Sequence, residues 1–394
     1  MNLPGSTTPG RRSSGAAEQP LLVYADPAFR TQQANPYNAM LYQHLIARGV
    51  PVEELTLGNL LRRPPRVVHV HWPELTYLSG RRWRHTGYRI GTFLAALALA
   101  RLRRGTALVW TVHNLQAHER DYPALQSRLL WAVFPRLVDG FLTLTPSAQD
   151  QARAVHPALR SVPGTVTPHG DYRAEVDRSL DRAAARHQLG IEPDVRLLLF
   201  VGQVRAYKNV PALIDSFSEV ADADARLVVA GQARQGVERD RVIARAARDP
   251  RVRTELEFQT PERLSAWLAA ADVVVLPYTA VLNSGTALLA LSADRPVVAP
   301  RMGAIGDLQD AVGRAWVHAY DGELDEAVRA ALRMAAESRP EPVDLSAFAW
   351  PRIAELTEGA YRGAVARRRS RGIPSRIGRV WATVSQRLLV RRRP

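Results

Sequence analysis

Residues 195–209 read VRLLLFVGQVRAYKN. A short unbroken apolar run, closed by glycine and followed by polar and basic residues, is the pattern of a strand buried on both faces that enters a loop at its carboxyl end. Working outward, helical spacing resumes at about residue 209, and a second run, RLVVAG, follows at 226–231. RTELEF at 253–258 and VVVLPY at 273–278 read as further strands, with a helix over 286–292 and a strand in PVVAP at 296–300. Strands alternating with helices predict a parallel sheet wrapped by helices.

The same rhythm precedes this unit. LLVYAD (21–26), VEEL (52–55), RVVHVHW (66–72), TALVWTVHN (106–114) and GFLTLT (140–145) read as strands. Helical stretches run from Tyr37 to Arg48, over 86–103 and 124–137, and onward from Pro146; the first is stopped by Gly49. Between the two units, residues 160–195 carry Pro163, Gly164, Pro168, Gly170 and Pro193, which marks a break with a hinge near 165–170. The expected fold class is α/β, with two similar parallel-sheet domains (20–167 and 168–345) facing a cleft. A C-terminal helix (346–362) and a basic amphipathic tail (363–394) follow. Ligands of such domains bind outside the carboxyl ends of the strands. Residues 1–19 are polar, rich in Gly, Ser and Pro, and read as a disordered leader without the apolar core of a signal peptide. The uncharged stretch Val273–Ala293 is long enough for a membrane helix, but Pro277 and Asn283-Ser284-Gly285 divide it into strand, loop and helix.

The chain of 394 residues has 53 basic and 38 acidic side chains, a net charge of +15. Every basic residue but Lys208 is arginine. The absence of cysteine excludes disulfide scaffolds, thiolate-bound zinc, iron–sulfur clusters and thiol nucleophiles. The basicity is local: residues 81–104 hold seven arginines, residues 359–394 hold eleven, and neither block contains an acid. Such blocks meet phosphate, in nucleic acid or in anionic lipid. Trp83, Tyr88, Ile90, Phe93 and Leu94 lie among the first block, and Ile377, Val380, Trp381, Val384, Leu388 and Leu389 recur at helical spacing in the second. Both suit helices lying on an anionic membrane, with Arg81, Arg82, Trp83, Arg84 and Trp381 as contacts. Nucleic acid is disfavoured, because the aromatics do not interleave with the arginines as stacking platforms do.

Lys208 is the most informative single residue. A lone lysine in a chain that otherwise uses arginine marks a place suited to a compact point charge. It stands with Gly202 and Arg205 in the loop after a strand, a clamp for a diphosphate. A second phosphate cradle is expected at Asn283-Ser284-Gly285-Thr286, where free N–H groups open an apolar helix; the same four residues also read as an ordinary helix cap. In the first domain, polar groups gather at strand ends: Asp26 and Asn35 around the first loop, His69, His71 and Glu74 in HVHWPE, and His113, Asn114, His118 and Glu119 in TVHNLQAHE. His69 and His71 share one strand face, yet no third ligand is spaced for a metal. Asp222 and Asp224 sit at a helix-to-strand turn away from the cleft. Neither a Walker loop nor a dinucleotide-binding glycine motif is present.

These residues resemble a known family. NPYNAMLYQHLIARGVPV, TVHN, TPHG, VGQVRAYKNVPALIDSF and ADVVVLPY…ALSADRPVVAP are similar to blocks of GT-B glycosyltransferases, in particular the family-4-like (group 1) bacterial enzymes of glycolipid and polysaccharide synthesis. The likeness spans roughly residues 20–362. It implies a second domain that binds a nucleotide diphosphate sugar, with Arg205 and Lys208 on the diphosphate and His113 approaching the transferred sugar. It also implies chemistry without a metal or other cofactor. One departure matters. Retaining members carry a Glu-x7-Glu motif, and the corresponding positions here are Val281 and Leu289. Asn283, Ser284, Gly285 and Thr286 are then expected to take over donor contacts, Asn283 toward the sugar. An inverting reaction needs a general base from Glu74, Glu119, Asp26 or His113. The implied function is transfer of a hexosyl group, mannosyl among the options, to a lipid-linked or polysaccharide acceptor at the cytoplasmic membrane face. The alternative is a non-catalytic nucleotide-sugar or glycan-binding protein of the same fold.

Overall fold

The computed structural model describes residues 20–32, 36–73, 83–115, 124–220, 222–339 and 341–371. The expected leader lies outside them, as do Asn35, Glu74, Arg81, Arg82, His118, Glu119 and Trp381, and the side chains of Trp83 and Arg84.

Two six-stranded sheets form, each wholly parallel. The first contains β1 (Val23–Asp26), β2 (Val52–Glu54), β3 (Val67–Val70), β4 (Ala107–Thr111), β5 (Gly140–Thr143) and β6 (Gly164–Val166), in the spatial order β2-β1-β3-β4-β5-β6. The second contains β7 (Arg196–Val201), β8 (Ala225–Ala230), β9 (Val252–Glu255), β10 (Val273–Val275), β11 (Val297–Pro300) and β12 (Val317–Tyr320), in the order β12-β11-β10-β7-β8-β9. Helices cover both faces, so the strands are apolar without alternation: Leu197, Leu198, Leu199 and Phe200 of β7 are all fully buried.

The strand order reverses between β1 and β3 in the first sheet and between β7 and β10 in the second. Adjacent loops leave such a point in opposite directions, which opens a crevice at the carboxyl ends of the strands. Gly202–Asn209 follows β7, and the segment ending in Asn283-Ser284 follows β10, so both expected phosphate loops border one crevice. Thr279 joins them, its N–H donating to the Tyr207 carbonyl at 2.8 Å.

The final helix, Trp350–Ser370, is longer than the sequence suggests and crosses back to the first domain. It packs against Tyr37–Ala47 and against β4, β5 and β6, burying Ile353, Ala354, Tyr361 and Ala364 in the first domain's core. Its N-terminus is anchored where the Trp350 indole donates to the Asp171 carbonyl at 2.8 Å. A second tie spans the cleft: Ser147, at the start of the helix Pro146–Val155, donates its hydroxyl to Asp307 at 2.6 Å. Asp307 also accepts from the Ser147 N–H at 3.2 Å, so it sits at that helix's positive end.

The arginine blocks are not uniformly exposed. Arg101 is largely buried and pairs with the buried Asp139 at 2.7 Å. Arg367, Arg368 and Arg369 belong to the end of the final helix, where Arg367 donates to the Ser161 carbonyl at 2.5 Å. The helix end expected at residue 362 therefore falls eight residues later, at Ser370, and residues 372–394 of the expected tail lie outside the described residues. Among the described residues no helix is long and apolar enough to cross a membrane.

Candidate active site

The β7 loop builds a small cationic cradle. Gly202 adopts φ +117°, and a Cβ there would lie 2.9 Å from the Lys208 Nζ and 3.4 Å from the Thr286 hydroxyl. The backbone, the ammonium and the hydroxyl thus converge on one point. Lys208 is buried, with its Nζ 5.7 Å from the Tyr278 ring centre and 5.9 Å from that of Phe200. Burial, with a smaller contribution from Arg205, lowers its pKa to about 8. Among the described residues no carboxylate pairs with Lys208 or with Arg205, whose one side-chain hydrogen bond goes to Gln203 at 3.1 Å. An uncompensated buried ammonium is costly unless an anion joins it.

Opposite stands the helix Gly285–Ser292. Ser284 caps it, its hydroxyl oxygen accepting from the Ala287 N–H at 3.1 Å, which leaves the first N–H groups of the helix directed at the crevice. The expectation of a helix cap is met by Ser284. Val281 and Leu289, the positions of the missing carboxylates, are partly buried against the second domain's core.

On the first-domain side His113 follows β4, and Asn283 reaches across to it, donating to the His113 carbonyl at 3.2 Å. The Asn283 Oδ1 is buried and has no hydrogen-bond partner among the described residues. Tyr37, His71 and Trp72 surround the His113 ring, Trp72 stacking on it at 4.4 Å between ring centres. Burial, and after it the neighbouring imidazoles of His169 and His69, hold His113 well below the usual histidine pKa. It is neutral at physiological pH.

His69 and His71 do share a strand face, but each of their ring nitrogens already meets a protein group. His69 lies 2.9 Å from the Tyr42 hydroxyl, 2.7 Å from that of Tyr361 and 2.7 Å from that of Thr111. His71 lies 2.5 Å from the Tyr42 hydroxyl and 2.9 Å from the His113 Nε2. Asp26 is unsuited to be the base: it is buried and ion-paired to Arg30, which Glu54 also holds at 2.9 Å. Asp222 is structural, pairing with Arg196 at 2.7 Å. Glu74, Glu119 and Asn35 lie outside the described residues.

His169 and Tyr172 were not assigned roles from sequence. The Nδ1–H of His169 donates to the Gly170 carbonyl at 2.8 Å, which leaves Nε2 to accept from the Tyr172 hydroxyl at 3.2 Å. That hydroxyl would lie 3.2 Å from a Cβ at Gly285, so both groups face the helix start. The TPHG block carried the signal, but nothing local says what His169 meets. Beside it a cavity of about 430 Å³ lies between the domains, walled by Leu144, Val166, Leu288, Ile305 and Phe348, with Asn283 on its rim.

Two parallel-sheet domains facing across a cleft, with a cationic loop at the switch point of the second, define a GT-B glycosyltransferase. The family description "Glycosyl transferases group 1" matches residues 195–337. A GDP-mannose:glycolipid 4-beta-D-mannosyltransferase of Xanthomonas campestris pv. campestris is 33% identical over 338 residues, covering 84% of this chain and 89% of the relative. A D-inositol 3-phosphate glycosyltransferase of Rhodococcus erythropolis is 28% identical, covering 68% of this chain and 64% of that protein. In structure, sucrose-phosphate synthase from Thermosynechococcus elongatus superposes with a TM-score of 0.59 at 15% identity, covering 95% of this chain and all of that one. Anabaena HepE, solved with UDP and glucose, gives a TM-score of 0.57 at 15% identity, covering 92% and 99%. The chain belongs to the group 1 glycosyltransferases, and it is an enzyme of glycosyl transfer.

Proposed function

We propose that this enzyme transfers a mannosyl group from a GDP-linked donor to a glycolipid acceptor, with inversion and without a metal. The observation that carries the reading is the pairing, across one cleft, of two carboxylate-free cations with a neutral imidazole. Lys208, Arg205, Gly202 and the start of the helix Gly285–Ser292, with Thr286, hold the donor diphosphate and stabilise it as it leaves. Asn283, with its unpartnered Oδ1, accepts from a sugar hydroxyl. The acceptor hydroxyl oxygen attacks the anomeric carbon while its proton passes to His113. The bond from carbon to phosphate oxygen breaks, and its electron pair departs with the diphosphate. The Xanthomonas relative is named for a β-linked product. GDP-mannose carries its sugar α-linked, so such a product means inversion, in keeping with Val281 and Leu289 in place of the two glutamates.

His113→Ala is expected to lower kcat by roughly 10²- to 10⁴-fold while leaving nucleotide affinity within a few-fold. Because His113 is held neutral, wild-type kcat persists as pH falls through 6.5, the ordinary imidazole value. Transfer assays with GDP-mannose and a lipid-linked oligosaccharide check both, and an unchanged kcat in the variant would remove His113 as the base. A thermal-shift panel of nucleotide sugars identifies the donor, since a ligand at about 100 times its Kd adds about 2.7 kcal/mol.

The same reading places the enzyme at the cytoplasmic face of an anionic membrane. Tyr88, Leu99 and Leu102 of the helix Trp83–Arg104 are exposed, as are Leu57 and Leu61 of the neighbouring helix Leu57–Arg62. Arg103 ties the two helices by donating to the Leu61 carbonyl at 2.6 Å, and Arg104 ends the first. Apolar side chains ringed by arginine suit the headgroup boundary of an anionic bilayer. In flotation assays the protein is expected to rise with phosphatidylglycerol vesicles and not with phosphatidylcholine alone. The double variant Leu99→Glu/Leu102→Glu is expected to weaken this. Retention of DNA in gel shifts without vesicle binding would overturn it.

A further inference from the structure

Behind His113 lies a continuous buried chain of hydrogen bonds. It runs from the His113 Nε2 to the His71 Nδ1 at 2.9 Å, and from the His71 Nε2 to the Tyr42 hydroxyl at 2.5 Å. It continues to the His69 Nδ1 at 2.9 Å, and from the His69 Nε2 to the Thr111 hydroxyl at 2.7 Å. The Tyr361 hydroxyl joins at His69, 2.7 Å from Nδ1. His69, His71, Tyr42, Thr111 and Tyr361 are each nearly or wholly inaccessible to solvent. Three elements of the first domain and the final helix contribute to a polar chain whose last member, His113, borders the cleft.

We propose that His71 is the positioning residue that fixes the tautomer of His113: its Nδ1 accepts the His113 Nε2–H and leaves the His113 Nδ1 unprotonated toward the acceptor. The inference rests on the reading of His113 as the base. A neutral imidazole has one N–H, so whichever nitrogen is engaged as donor determines which is left to take a proton. In this direction the chain runs without a break. His71 donates its Nε2–H to the Tyr42 oxygen, Tyr42 donates to the His69 Nδ1, and His69 donates its Nε2–H to Thr111. The Tyr361 hydroxyl stands 2.7 Å from that same His69 Nδ1, and each buried N–H named in this direction has an acceptor. Burial keeps the cluster uncharged, holding His69 at about 3 and His71 well below its ordinary value. A carboxylate in the place of His71 would orient His113 equally well, but would bury a charge with no cation to meet it. When His113 takes the acceptor's proton at Nδ1, its Nε2–H strengthens its bond to His71, and no further bond needs to break.

The test combines a structural and a kinetic readout on the full chain. Nitrogen-15 NMR of the imidazoles is expected to show His113 protonated at Nε2 and bare at Nδ1 in the wild type. His71→Leu removes the acceptor, and a mixture of His113 tautomers is expected, with kcat lower by roughly 10²-fold and the donor KM unchanged. His71→Asn keeps an amide oxygen near the position of Nδ1, and is expected to restore the Nε2–H tautomer and most of kcat. The wild type bearing its proton on Nδ1 would overturn the proposal. So would equal loss in the Leu and Asn variants, both folded by circular dichroism. If instead the tautomers behave as stated while His113→Ala transfers sugar at the wild-type rate, the positioning stands and the reading of His113 as the base falls.

Discussion

Lys208→Ala is expected to lower kcat/KM for the nucleotide sugar by roughly 10²- to 10³-fold, the scale of removing one preorganised donor to developing negative charge. Lys208 is the chain's one lysine and it is buried, with aromatic rings at two sides and the Gly202 backbone at a third. Lys208→Arg is expected to restore little. A guanidinium is larger and planar, and has five N–H groups to satisfy where the cradle has room for one compact charge. The ammonium also makes binding pH-dependent. Its pKa in the free protein is lowered to about 8, by burial first and Arg205 second. A diphosphate favours the protonated form and raises that value on binding. Between the two values binding takes up a proton, so affinity is flat below about pH 8 and falls by up to about tenfold per pH unit above it. Calorimetric titration with the nucleoside diphosphate at about pH 7 and about pH 9 reads this directly. Equal affinities for wild type and Lys208→Ala would remove Lys208 from the site.

Gly231→Ala is expected to have the largest effect on stability. Gly231 follows β8 with φ +151°, and a Cβ there would lie 2.1 Å from the Gly202 carbonyl oxygen. That oxygen belongs to backbone and cannot swing aside. Strain and overpacking together cost on the order of 3 kcal/mol, a fall of about 6–12 °C in Tm for a domain of this size. Gly202→Ala separates stability from binding. Its φ of +117° is strained for alanine, at a cost of about 1–3 kcal/mol. Its new methyl would meet the Lys208 Nζ at 2.9 Å, a flexible group that can move away, so the fold survives. The space a phosphate oxygen would fill is lost with it. The expected result is a folded protein whose Tm no longer rises with nucleotide sugar, and an undiminished rise would disprove the cradle.

Much of this site is local in the chain, which is why it was legible. The β7 loop carries Gly202, Arg205 and Lys208 within seven residues, directly after an apolar run that can only be a buried strand. The helix start at Ser284 is likewise contiguous. The loss of the paired glutamates is a matter of residue type alone, and Val281 and Leu289 pack against apolar neighbours. The surroundings of His113 were not legible. His71 and His113 meet across two strands 42 residues apart, and Tyr361 reaches His69 from 292 residues further along. A buried histidine and an exposed one look the same in sequence, since periodicity reports which face a residue takes and not which hydroxyl it meets there.

The sequence by itself determined the two parallel-sheet domains, five of the six strands in each and the cationic loop of the second domain, but neither β6, which lies inside the expected break, nor β12. Each follows from short-range pattern: apolar runs of strand length, glycine where the backbone must turn, and one lysine among arginines. Only the tertiary structure decided that the last helix returns to complete the first domain, that Arg101 is buried against Asp139, and that Asp26 is held by Arg30. It also decided that a chain of imidazoles and phenols stands behind His113. Those outcomes depend on which distant side chains share a buried volume, where a polar group must find a partner or be left out of water unpaired.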